Sequence, residues 1–77
     1  MTEAERNLLK SSIDEVLVLE TNDGEHIAQI LFVFDEGETP DLFYLEVEPR
    51  PDGTFAQKGS SGHSLLLSDI RAVRRLD

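Results

Sequence analysis

Seventy-seven residues without a cysteine make one domain at most, close to the size at which a single core only just suffices, and leave neither a disulfide nor a thiolate zinc site to staple it. The net charge is −9, with 14 acidic against 3 basic residues over residues 1–52 and 2 against 4 over residues 53–77, so the acidity belongs to the first two thirds. An anionic surface repels phosphates and anionic lipid, and no apolar run approaches the roughly 20 residues of a membrane helix, which disfavours generic nucleic-acid or membrane binding.

The N-terminus from Met1 to Arg6 has no basic segment leading into an apolar stretch, and the chain reads as a cytoplasmic protein. Thr2-Glu3-Ala4-Glu5 fits a capping box, which predicts a helix over about residues 3–11. Its stripe of Ala4, Leu8 and Leu9 is narrow, so the helix should lie on a larger element. Acidic residues lead it and Lys10 closes it, in keeping with the helix dipole.

A strand is expected over residues 14–22, turned by Asn22-Asp23-Gly24, whose residues tolerate positive φ. The next, over residues 25–35, alternates Ile27, Gln29, Leu31 and Val33 with His26, Ala28, Ile30, Phe32 and Phe34. Both faces are apolar in its second half, so it should be buried on both sides or bent sharply; either Phe32 or Phe34, not both, is expected inside. The loop from Asp35 to Asp41, with a Gly, a Pro and a run of carboxylates, is a solvated connector before a strand over residues 42–48.

Pro49 ends that strand, and Pro51-Asp52-Gly53 turns toward a short piece from Thr54 to Lys58 that could close a hairpin within a variable loop over residues 49–62. Gly59-Ser60-Ser61-Gly62 reads as a flexible connector. Two last strands follow over residues 63–67 and 70–76, joined at Ser68-Asp69. One short N-terminal helix followed by five or six short strands with tight turns is the pattern of an all-β fold, a small closed barrel.

The helix, the Gly-turned hairpin, the long second strand ending in Phe34-Asp35 and the closing segment SLLLSDIRAV resemble an Sm-like domain over most of the chain. NDGEHIAQILFVFDE is most similar to the bacterial host-factor branch, which are RNA chaperones. The resemblance implies a strongly bent, five-stranded SH3-type barrel under the short N-terminal helix, assembled as a homo-oligomeric ring in which the fourth barrel strand of one subunit pairs with the fifth of the next, and makes Leu65, Leu66, Leu67, Ile70 and Val73 candidate subunit-edge residues. Its RNA-reading residues do not carry over. Leu67 and Ser68 stand where host-factor proteins place a Lys-His pair, and Ala28 replaces the usual second-strand glycine.

Five further candidates come from the residues. Arg71, Arg74 and Arg75 could form a basic rim for a partner or for RNA, although salt bridges to acidic strands at Glu46 and Glu48 are the plainer expectation; alternation sets Ile70 and Ala72 opposite Arg71 and Val73. Asp35, Glu36, Glu38 and Asp41 could dock a basic protein partner. His26 and His63, with Glu25 and Asp69 nearby, do not by spacing make a metal site, and no metal or other cofactor is expected. Ser60, Ser61 and Ser64 with His63 and Asp69 contain the atoms of a hydrolytic triad, but a Gly-flanked loop is a poor place to hold one, so no enzyme is expected. Tyr44, Phe32, Phe34, Phe43 and Phe55 could stack bases, yet alternating strand aromatics are more often core. Together these give a non-enzymatic module that self-associates and binds a protein, with RNA binding at the rim as the alternative.

Overall fold

The computed structural model describes residues 1–59 and 62–76, so the expectations at Ser60 and Ser61 lie outside the described residues. Helix α1 (Glu3–Lys10) starts as the capping box requires: the Thr2 hydroxyl accepts from the Glu5 N–H at 3.1 Å, and the Glu5 carboxylate accepts from the Thr2 N–H at 2.7 Å. The helix reaches the core through Leu9, fully buried, and Leu8, half-buried, while Ala4 of the expected stripe is exposed.

Six strands follow: β1 (Val16–Thr21), β2 (Gly24–Phe34), β3 (Asp41–Pro49), β4 (Phe55–Gln57), β5 (His63–Leu66) and β6 (Ile70–Arg75). All ladders are antiparallel. The path runs β4-β3-β2-β1-β6, and β5 pairs with the first half of the β3 edge whose second half takes β4. The variable loop therefore contains a sixth strand, β4, held in a hairpin by the Asp52 carboxylate accepting from the Thr54 N–H at 3.0 Å and its hydroxyl at 2.6 Å. Strand β1 begins at Val16 instead of residue 14 because Asp14 takes φ 69°, a left-handed turn that interrupts extended pairing. Within the β1–β2 turn only Gly24 uses positive φ, at 120°.

The sheet is not closed into the expected barrel. It is nevertheless curved, for a chemical reason: β5 and β6 lie at opposite ends of the order β5-β3-β2-β1-β6 and are joined by a single 3₁₀ turn, Leu67–Asp69. Four flat strand spacings would span about 19 Å, whereas four residue steps from Leu66 to Ile70 cover at most about 14 Å. The core lies inside the bend, where Leu17, Leu19, Ala28, Ile30, Leu42, Tyr44, Leu67, Ile70 and Val73 pack with Leu9 of the helix.

Two β-bulges decide which residues enter that core. In β2, Ile30 pairs with Tyr44 and Phe32 with Phe43, so Leu31 is the extra residue. Simple alternation would place Phe32 and Phe34 beside Ile30; the bulge turns both outward and brings Val33 against the core instead. The expectation of one phenylalanine inside therefore fails for both. In β6, Thr21 pairs with Ile70 and Glu20 with Ala72, leaving Arg71 unpaired. Ile70 and Val73 consequently share the core face, which corrects the alternation read from the sequence. Among the described residues, no helix is long and apolar enough to cross a membrane.

Candidate functional site

The basic rim is occupied by its own chain. Arg74 lies on the outer face between Glu20 and Glu25, two carboxylates set directly opposite each other, and its guanidinium reaches Glu25 at 2.7 Å and Glu20 at 3.8 Å. That hydrogen bond to Glu25 holds the Arg74 pKa above its usual range. Arg75 reaches Glu15 at 3.7 Å. The carboxylates that meet the rim are thus those of β1, β2 and the β1 approach, not Glu46 and Glu48, because β6 pairs with β1, and both β1 and β2 lie between it and β3. Arg71 is exposed on its bulge and makes no salt bridge among the described residues.

Of the residues expected at subunit edges, Leu66 is exposed and Leu65 half-buried, whereas Leu67, Ile70 and Val73 bury their side chains in the core. Leu67 belongs to the 3₁₀ turn. Any edge contact at Ile70 or Val73 has to be made by backbone. One such group is already engaged: the Val73 N–H donates to the Glu5 carboxylate at 2.8 Å, so α1 covers part of the β6 edge. Hydrogen bonds from Thr2 and then from Val73 hold the Glu5 carboxyl below the usual carboxylate range. The capping box made Glu5 visible in the sequence as a helix residue; its second oxygen's contact with residue 73 had no local signal.

The acidic loop is divided. Asp35 pairs with Lys10 at 2.8 Å, which holds its carboxyl below the usual range, and so ties the helix C-terminus to the end of β2. Glu36 and Glu38 are exposed and Asp41 partly so, with no salt bridge among the described residues.

The acidic loop borders an apolar face that sequence alternation missed. Phe34, Asp41 and Leu66 form one cross-strand row over β2, β3 and β5; Phe32, Phe43 and Ser64 form the next. Paired residues point to the same side, so Phe32, Phe34, Phe43 and Leu66 share the outer face, exposed by 49, 55, 48 and 41 % respectively. The Phe32 and Phe34 ring centroids are 4.7 Å apart. A shallow groove of ≈ 330 Å³ lined by Lys10, Ile13, Leu31, Phe32, Val33 and Asp35 continues the face toward the helix.

At the other end of the sheet, His26 stands between Glu46, 3.3 Å from Nδ1, and Asp23, 3.4 Å from Nε2. Carboxylates on opposite ring nitrogens do not converge on one point, and among the described residues no group of three or more His, Asp or Glu side chains could hold a metal ion. Tyr44 separates the two histidines, its ring 6.3 Å from that of His26 and 5.4 Å from that of His63. Burial first, then the carboxylates of Glu46 and Asp23, push the Tyr44 hydroxyl above its ordinary pKa. Asp23 is held low mainly by the Thr21 hydroxyl and then by His26. The neighbouring cavity of ≈ 410 Å³ is lined by Thr21, Asn22, Asp23, Leu65 and Asp69. Among the described residues no hydrogen bond joins His63 to Ser64 or Asp69; the serines at 60 and 61 lie outside them. No family model, no curated protein and no solved structure matches the chain.

Proposed function

We propose that this chain is a non-enzymatic, Sm-like assembly module that associates with copies of itself through its open sheet edge and offers an acidic surface to a protein partner. The observation that carries the reading is β5: among the described residues it pairs with β3 alone, lies at an end of the sheet, and leaves a row of strand N–H and C=O groups without a partner. A chain of this size with no disulfide gains burial by pairing such an edge. The strand order β5-β3-β2-β1-β6 supports the reading by giving five consecutively paired strands with β5 and β6 at opposite ends, and the open edges leave room for a neighbouring strand. Glu5 narrows where that strand can add, since the Val73 amide of β6 is taken.

RNA binding at Arg71, Arg74 and Arg75 is less well supported, because Arg74 and Arg75 already face carboxylates and only Arg71 offers a cation without one among the described residues. Light scattering across micromolar concentrations tests the assembly reading: a particle of several copies supports it, and a stable monomer removes it. A low-salt titration with uridine-rich RNA that produced a salt-dependent shift would favour the RNA alternative.

A further inference from the structure

We infer that the outer face formed by Phe32, Phe34, Phe43 and Leu66 docks a segment of another protein in which aromatic or large aliphatic anchors are flanked by lysine and arginine. This deepens the binding-module reading and rests on it, but uses a sheet face and not the strand edges through which copies would pair.

Scattered exposed apolar residues need no explanation, whereas four in two adjacent cross-strand rows form a contiguous patch of the kind that marks an interaction surface. The bulge at Leu31 is what places them there. It costs regular pairing and exposes two phenylalanines that simple alternation would have buried, so the exposure is built into the backbone and is not a loose end of the core. Aromatic side chains give large contact area for few rotatable bonds, which suits them to anchoring a partner.

Charge selects the occupant. The loop bearing Glu36 and Glu38 leads directly from Phe34, and Asp41 stands within the Phe34–Leu66 row, all three without a salt bridge among the described residues. The cations on this side are Lys10, paired with Asp35 at 2.8 Å, and Arg6, whose charge also acts on Asp35. A second copy docking face to face would bring a second set of these carboxylates, and a second chain of net charge −9, to the same interface without an excess of cations to offset them, which opposes association. An RNA would meet the same repulsion. A basic segment gains at both places, its apolar anchors on the phenylalanines and its cations on the rim.

Selection of short linear peptides from a random displayed library against the purified full chain tests this directly. Enriched peptides should combine aromatic or large aliphatic residues with Lys or Arg. The best of them, synthesised and titrated into isotope-labelled protein, should perturb the amides around Phe32, Phe34, Phe43, Leu66 and Glu36. Phe34→Ser should weaken that peptide by about tenfold or more, and the pair Glu36→Lys, Glu38→Lys should weaken it and flatten its salt dependence. Both sites are exposed, and an unchanged amide spectrum of each free variant checks that the fold is kept. No enrichment, enrichment of acidic peptides, perturbation centred on α1 or β6, or unaltered affinity in Phe34→Ser overturns the proposal. So does a multimer that Phe34→Ser dissociates, which would assign the face to a second copy, or an RNA that perturbs the same amides. Scattering of the free protein is read separately: a monomer that still binds the peptide sinks the assembly reading and leaves this one standing, and a multimer that binds none does the reverse.

Discussion

The two ends of this sheet are finished differently. At β6 the helix lies across the edge, Glu5 takes the Val73 amide, and Arg74 and Arg75 are matched to carboxylates of β1, β2 and the approach to β1. At β5 the outermost strand has four residues and no helix contact of comparable extent, and its Leu66 joins Phe32, Phe34 and Phe43 in an apolar outer face beside Glu36, Glu38 and Asp41, which make no salt bridge among the described residues. An exposed strand edge is a template for pairing, and a carboxylate placed on its amide is a direct way to occupy it. One end is shielded by its own chain; the other is open among the described residues.

The largest test of that contrast is Leu9→Ala. Leu9 is the fully buried helix residue, and truncation should cost about 2–5 kcal/mol, read as a lower urea midpoint. If the helix shields β6, the variant should also scatter as a larger or more concentration-dependent particle than the parent. Equal scattering would show that α1 stabilises the core without guarding the edge.

Thr2→Ala removes the hydroxyl that accepts from Glu5 and should cost about 0.5–2 kcal/mol, with amide exchange accelerated in α1 and at Val73. Exchange accelerated in α1 alone would mean that Glu5 holds the edge without its cap.

Glu5→Gln sharpens the comparison through pH. The folded-state pKa of Glu5 lies below its unfolded value of about 4.5, so its contribution is present above that pH and is lost as pH falls through the depressed folded value. Between neutral pH and pH 3 the parent should therefore lose more stability than Glu5→Gln, as measured by urea midpoints at the two pH values. Asp23, Asp35 and Asp52 are depressed too and remain in both proteins, so part of the acid slope should persist in the variant.

Leu66→Ser, at the open end, should change stability least, by within about 0.5 kcal/mol, because the side chain it removes is largely exposed. A thermal midpoint well below the parent's would reveal that Leu66 is buried in solution by a second copy, and the contrast between the ends would then reflect assembly.

Local chemistry carried much of the fold. The capping box is realised atom for atom at Thr2 and Glu5, the strands at residues 16–21, 24–34, 41–49 and 63–66 lie close to where alternation puts them, and Gly24 turns the first hairpin. These features depend on side chains within a few residues of one another, so their pattern is written in consecutive positions. The candidate site was legible only in pieces. The acidic run and the three arginines are visible as composition, but which carboxylate meets which guanidinium depends on β6 lying beside β1.

What the sequence by itself determined, then, is one helix, a set of short strands, their turns and the placement of acidity. The tertiary structure alone decided the two bulges, and with them the sidedness of Phe32, Phe34, Arg71 and Val73. A strand's pattern has period two, and one extra residue reverses every side chain beyond it. Leu31 and Arg71 carry no glycine or proline to announce such a step. Only pairing with Tyr44–Phe43 on one side and Glu20–Thr21 on the other shows where the count slips, and that slip is why an apolar face stands open next to an acidic loop.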